Sequence, residues 1–227
     1  MQIAENTIAD GMSMEGNEFQ EAISKIIKER KPRKIIETGT YLGEGSTRVI
    51  ADALELNQID YEMLSIEANP AYYLRACKNV TMFENVRVLN GLSIPRDLLP
   101  TENQPGHAAG DLSSENIFVD HQEKERIRLY MQECDFDVPD RMLDICMRYF
   151  KNKPNLIMLD SAGHIGFIEF KYMLSMLKGS CLIVLDDINH IKHYMSFNYM
   201  KSDYERFTII KESTEKFGFC IAEYKHA

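Results

Sequence analysis

Ile35-Ile36-Glu37-Thr38-Gly39-Thr40-Tyr41-Leu42-Gly43-Glu44-Gly45-Ser46 is the stretch that decides the fold. Two isoleucines open a short apolar strand and the glycines turn the chain. Val49, Ile50, Ala53 and Leu54 then mark one face of a helix over about 45–57. A strand feeding a glycine turn and a helix is the opening of a βαβ unit.

Outward from that unit the alternation repeats. Phe19, Ile23, Ile26 and Ile27 predict a preceding helix, which Lys31-Pro32 stops. Strands are predicted at 34–38, 61–67, 86–89, 156–160 and 181–186. Asn69 is placed to cap a helix through about Lys78, with Pro70 at its first position. A further helix covers 165–177, where Lys178-Gly179 ends it and Gly179 is expected to adopt the left-handed cap. The runs 207–211 and 217–224 read as a closing antiparallel pair. The runs 35–36, 156–159 and 181–185 are apolar without alternation, as in central parallel strands covered on both faces. The expected class is α/β, a mostly parallel Rossmann-like sheet with an antiparallel closing strand and helices on both faces.

Composition bounds the rest. The 227 residues suit one domain with an insertion, and 44% are hydrophobic. A net charge of −9 argues against a nucleic-acid partner, which needs clustered cations. The basic run 28–34 reads as a solvated helix end. Cys77, Cys134, Cys146, Cys181 and Cys220 are scattered and form neither a disulfide framework nor a zinc knuckle. Cys181 and Cys220 read as buried apolar residues. The polar N-terminus lacks a signal-type core and no apolar run reaches membrane-spanning length, so a cytoplasmic chain without a membrane partner is expected.

The domain reading is a flexible arm at 1–18 and a single domain at 19–227, with a largely helical insertion at about 95–150. That insertion carries Pro95, Pro100 and Pro139. Ile127, Tyr130 and Met131 have helical spacing, as do Met142, Ile145, Cys146 and Tyr149. It reads either as an acceptor pocket or lid, to which His107, His121, Tyr130 and Tyr149 would contribute, or as a dimerisation element, so a homodimer is allowed.

In an open parallel sheet, ligands bind beyond the carboxyl ends of the strands, beside the first strand. The 38–46 turn belongs there. Its glycines run G-x-x-x-G-x-G, which is neither the G-x-G-x-x-G of a dinucleotide site nor a phosphate-binding loop. A cofactor with little or no phosphate is therefore favoured. Glu67 closes the second strand where an acid can accept from both ribose hydroxyls. Asp160, Asp186, Asp187 and Asn189 offer hard oxygen atoms at neighbouring strand ends, the donor set of Mg2+. The other reading of that acidic pair is an aspartate capping a helix.

The segments Glu37-x-Gly39-x-x-x-Gly43, Glu67, Leu89-Asn90-Gly91 and Asp160 resemble the successive motifs of class I S-adenosylmethionine-dependent methyltransferases. ETGTYLGEGS and the closing run 217–222 are similar to the catechol O-methyltransferase-like, small-molecule branch. The likeness spans about 34–93 and 154–224. It implies that Glu37, Gly39, Thr40, Gly43 and Ser46 hold the methionine part of S-adenosylmethionine and that Glu67 holds its ribose. Gly91, Leu92 and Ser93 would surround the adenine, and Asp160 would sit near the methyl donor. The metal-dependent relatives carry one acid after the fourth strand and a pair after the fifth, a pattern that Asp160, Asp186 and Asp187 match. The implied reaction is O-methylation of a small hydroxylated acceptor, carried out in this family either with a divalent metal such as Mg2+ or without one.

His164, four residues after Asp160, is the expected general base. The resembled family often has a basic residue one position earlier, where this chain has Gly163. His190 and His193 are alternatives. A serine nucleophile in Asp160-Ser161-Ala162 lacks the G-x-S-x-G elbow. The rival functions are a non-catalytic cofactor-binding module on the same fold and a nicotinamide-dependent oxidoreductase.

Overall fold

The computed structural model describes residues 18–99, 135–161 and 165–226. The first helix is α1 (Glu18–Arg30), followed by β1 (Lys34–Thr38), α2 (Ser46–Leu56) and β2 (Glu62–Glu67). Next come α3 (Pro70–Asn79), β3 (Val86–Asn90), α4 (Met142–Tyr149) and β4 (Leu156–Leu159). The chain closes with α5 (Gly166–Met176), β5 (Cys181–Asp186), α6 (Tyr194–Ser202), β6 (Phe207–Ser213) and β7 (Phe219–Tyr224). The strands form one sheet in the order β3-β2-β1-β4-β5-β7-β6. β1 to β5 are parallel, whereas β7 pairs antiparallel with both β5 and β6.

Strand side chains alternate between faces, and here the alternation builds two cores. Ile35, Leu156, Met158, Leu182 and Val184 enter one layer, where Phe19, Ile23 and Ile27 of α1 and Val49, Ile50 and Leu54 of α2 cover them. Ile36, Ile157, Leu159, Ile183 and Leu185 enter the other, under Leu143 and Met147 of α4, Phe170 and Met173 of α5 and Phe197 of α6. Each fully buried Ile, Leu or Phe contributes about 1.5–3 kcal/mol. Central strands filled on both faces must be apolar throughout, which is why these runs show no polar alternation.

Asn69 caps α3 as expected: its Oδ1 accepts from the backbone N–H of Ala71 at 2.9 Å, with Pro70 at the first position. Two expectations need correction. Gly179 does not take a left-handed cap; α5 ends at Met176 and Leu177 is already extended, at φ −68° and ψ 127°. α4 forms where helical spacing placed it, but it buries Met142, Leu143, Cys146 and Met147 while Ile145 and Tyr149 are exposed. α6 was not anticipated at all. Of the arm expected at 1–18, Glu18 already opens α1, and residues 1–17 lie outside the described residues, as does the stretch 100–134 with His107, His121, Ile127 and Tyr130. Among the described residues no helix is long and apolar enough to cross a membrane.

Candidate functional site

The carboxyl ends of β1, β2, β4 and β5 share one edge of the sheet, and the chain turns sharply above β1. Gly39 has φ 83° and Gly43 φ 74°, both in the region that glycine enters without strain. A Cβ on Gly39 would stand 2.6 Å from the Asp160 carbonyl carbon, so the ends of β1 and β4 meet there. Gly43 lies over α3, where a Cβ would come 2.9 Å from Val80 Cγ1.

Glu37 is fully buried below this turn. Its carboxylate accepts from Ser46 Oγ at 2.7 Å, Thr47 Oγ1 at 2.6 Å and Ser65 Oγ at 2.6 Å. Burial outweighs those three donors and pushes its pKa up to about 7. Glu37 thus ties the start of α2 and the middle of β2 to β1. Thr40 joins the same network, its Oγ1 lying 2.5 Å from Ser65 Oγ.

Glu67, at the end of β2, is almost fully buried. Its Oε2 accepts from Tyr41 N–H and its Oε1 from Asn69 N–H, each at 2.7 Å. Burial raises its pKa against these two donors and the Ala68 N–H. A carboxylate has about four acceptor positions, so these backbone donors do not exhaust it and an acceptor position remains for a ligand. Asn90 Nδ2 donates to the Glu67 carbonyl at 2.8 Å and draws the end of β3 against the same point.

Gly91, Leu92 and Ser93 are buried and strapped to the segment before α4. Leu92 N–H donates to the Pro139 carbonyl at 2.8 Å, and Leu143 N–H to the Ser93 carbonyl at 3.0 Å. A Cβ on Gly91, at φ 155°, would stand 2.6 Å from the Pro139 oxygen. Gly39, Thr40, Gly43, Ser46, Glu67 and Gly91–Ser93 therefore lie around the ends of β1, β2 and β3.

The acids at the ends of β4 and β5 also come together. Carboxylate oxygens of Asp160, Asp186 and Asp187 lie within 4.8 Å of one another, close enough to share one cation. Lys192 is among them. Its Nζ donates to Asp160 and, at 3.0 Å, to Asp187, and its side chain is only 7% exposed. Burial disfavours the ammonium, but Asp160, Asp187 and Asp186 outweigh it and hold Lys192 charged far above neutrality. Asp160 is pushed up by burial and pulled back by Lys192, while Asp187 also raises it. Asp186 is driven well up by burial and by its two acidic neighbours. Burial also opposes the charge on Asp187, but Lys192 prevails and holds that carboxylate below its usual range.

Carboxylates are the right donors for Mg2+. A divalent ion bound by the two that Lys192 already engages would stand close to its ammonium, and two such cations repel by about 8 kcal/mol at 4 Å and an effective dielectric near 20. With Lys192 in place the residues do not fit a metal.

His164, the expected base, lies outside the described residues. His193 is buried, and burial with the Lys192 charge lowers its pKa to about 3, so it stays neutral and is no base at ordinary pH. His190 is partly buried; its Nδ1 accepts from Lys192 N–H at 3.2 Å. The sequence reading missed Lys192 and Glu169. Glu169 is fully buried on α5 and accepts from Thr38 Oγ1 and Ser161 Oγ, each at 2.8 Å. Its signal was present: Gly166, Glu169, Phe170 and Met173 share one helix face, with an acid among apolar residues. No comparable signal marked Lys192.

No protein-family model and no curated protein matches the sequence. Solved structures match its fold over nearly the whole chain. An O-methyltransferase from Bacillus cereus in complex with S-adenosylhomocysteine is 14% identical, with a TM-score of 0.57 over 97% of this chain and 87% of its own. A Staphylococcus aureus protein assigned as a caffeoyl-CoA O-methyltransferase has the same identity and TM-score, over 97% of this chain and 89% of its own. TomG, an O-methyltransferase of tomaymycin synthesis from Streptomyces achromogenes solved with S-adenosylmethionine, is 15% identical at a TM-score of 0.55, over 92% and 80%. At such identities the likeness establishes the fold, a mostly parallel Rossmann-like sheet shared with these O-methyltransferase structures.

Proposed function

We propose that the protein is an S-adenosylmethionine-dependent methyltransferase acting on an oxygen of a small hydroxylated acceptor. The observation that carries this is Glu67: a buried acid at the end of β2, fixed by Tyr41 and Asn69 and retaining acceptor capacity for a ribose diol. The matched folds described as holding S-adenosylmethionine or S-adenosylhomocysteine support the same cofactor here.

When bound, S-adenosylmethionine supplies an electrophilic methyl group to an acceptor oxygen in line with its sulfonium. The chain's own part is alignment and electrostatics. Glu67 would accept the ribose hydroxyls. The backbone of Gly39–Gly43 would bear on the methionine part. Gly91, Leu92 and Ser93 would border the base, and Asp160 would face the positive sulfonium. The Mg2+ that the acidic strand ends suggested has no part in this reading, because Lys192 already engages two of the three acids.

Calorimetric titration with S-adenosylhomocysteine tests the reading. Wild type is expected to bind at micromolar Kd, and Glu67→Ala to lose at least tenfold, the equivalent of about 1.4 kcal/mol. No heat from folded wild type would overturn it. Binding without transfer to a broad panel of hydroxylated acceptors would favour a non-catalytic cofactor-binding module.

A further inference from the structure

We infer that Lys192 is the resident cation of the acidic strand ends, standing where a divalent metal would otherwise sit, and that this makes the protein a metal-independent methyltransferase for acceptors presenting a single hydroxyl. The inference rests on the proposed function for its catalytic part, but its cation part stands alone.

Three observations carry it. The carboxylates of Asp160, Asp186 and Asp187 converge within 4.8 Å, a spacing at which like charges repel and a cation among them is favoured. Lys192 supplies that charge from a nearly buried side chain, bonded to Asp160 just after β4 and to Asp187 just after β5. The backbone of Lys192 is itself held in place. Its carbonyl packs against Gly166 at the start of α5, where a Cβ would overlap the carbonyl oxygen and stand 2.9 Å from the carbonyl carbon. Its N–H is bound to His190 Nδ1.

The coordination chemistry then differs from that of a metal site. A divalent ion has several open positions and grips two adjacent oxygens of an acceptor. An ammonium has three donors, and Asp160 and Asp187 take two of them. One is left to meet a single acceptor oxygen as negative charge develops on it. A vicinal diol is then no better a substrate than a single hydroxyl.

Mn2+ binding, followed by electron paramagnetic resonance, tests the cation assignment without using activity. Folded wild type is expected to bind no Mn2+ at this site. Lys192→Ala, with three carboxylates and no resident cation, is expected to bind one Mn2+ per chain, and Asp186→Asn in that background to abolish it. One Mn2+ bound by wild type and lost in Asp186→Asn would overturn the inference, as would Lys192→Ala that folds and binds none. Should Lys192→Ala not fold, wild type decides alone. Transfer unchanged by EDTA, with single-hydroxyl acceptors used as well as vicinal diols, supports the inference, and EDTA-sensitive transfer restored by Mn2+ overturns it. S-adenosylhomocysteine titration of the same samples separates the two proposals. Lys192→Ala should keep that binding while transfer falls about a hundredfold or more, whereas wild type failing to bind would strike the methyltransferase reading and leave the cation result standing.

Discussion

Gly39, at the end of β1, lies directly against the backbone of Asp160 at the end of β4, with no space for even a methyl group between them. This contact sets the spacing of the two strand ends that frame the cleft. Gly39→Ala would add a Cβ 2.6 Å from the Asp160 carbonyl carbon at a φ of 83°. Strain and overlap together should cost about 2 kcal/mol or more. Denaturant unfolding measures this, and a loss within 0.5 kcal/mol would contradict the close approach.

Glu37 couples stability to pH. Its pKa rises from the ordinary 4.5 to about 7 in the folded chain. Between those values the unfolded chain has released the proton and the folded chain still holds it. The folded state therefore binds more protons, and stability falls as pH rises through that window, by about 3 kcal/mol in all. Glu37→Gln cannot titrate, so its unfolding free energy should lose this slope between pH 4.5 and 7. An unchanged slope would refute the assignment.

Glu169 serves as the buried acceptor for Thr38 and Ser161. Glu169→Ala strips both hydroxyls of their partner and opens a cavity beside them, so a loss of about 2–4 kcal/mol is expected. Glu169→Gln keeps the shape and one acceptor oxygen and should lose less than Ala. Equal losses in thermal unfolding would mean that shape and acceptor are irrelevant there.

Asn69 joins the α3 cap to Glu67. Its Oδ1 accepts from Ala71 N–H while its own N–H donates to Glu67. Asn69→Ala should cost about 1 kcal/mol through the cap alone, since the backbone N–H to Glu67 survives. Asn69→Gly should cost less, as glycine tolerates the cap position. Equal losses would place the effect elsewhere.

The local pattern of the sequence located most of the sheet. Strand periodicity, the Asn69-Pro70 cap and the glycine turn are written in neighbouring residues, and their elements fall within a residue or two of expectation. The failures share a cause. The α4 segment, Met-Leu-Asp-Ile-Cys-Met-Arg-Tyr, is apolar on two adjoining faces, so spacing alone could not choose between Ile145 with Tyr149 and Leu143 with Met147. Packing against the sheet chose. α6 buries Ser196, Phe197 and Met200 among tyrosines and polar residues, a weak stripe that neighbouring helices and strands complete.

The site divides along the same line. The succession of strands along the chain, the glycines above β1 and the acids at the ends of β2, β4 and β5 follow from the sequence, because turn chemistry and burial patterns act over a few residues. Which cation those acids hold does not. Asp160 and Lys192 are 32 residues apart, and no local rule joins them. Only the pairing of β4 with β5, and the tight seating of the Lys192 carbonyl on Gly166, carries the ammonium into the acidic cluster. The competition between burying a charge and meeting an opposite one is settled in three dimensions, where the distances that decide it first exist.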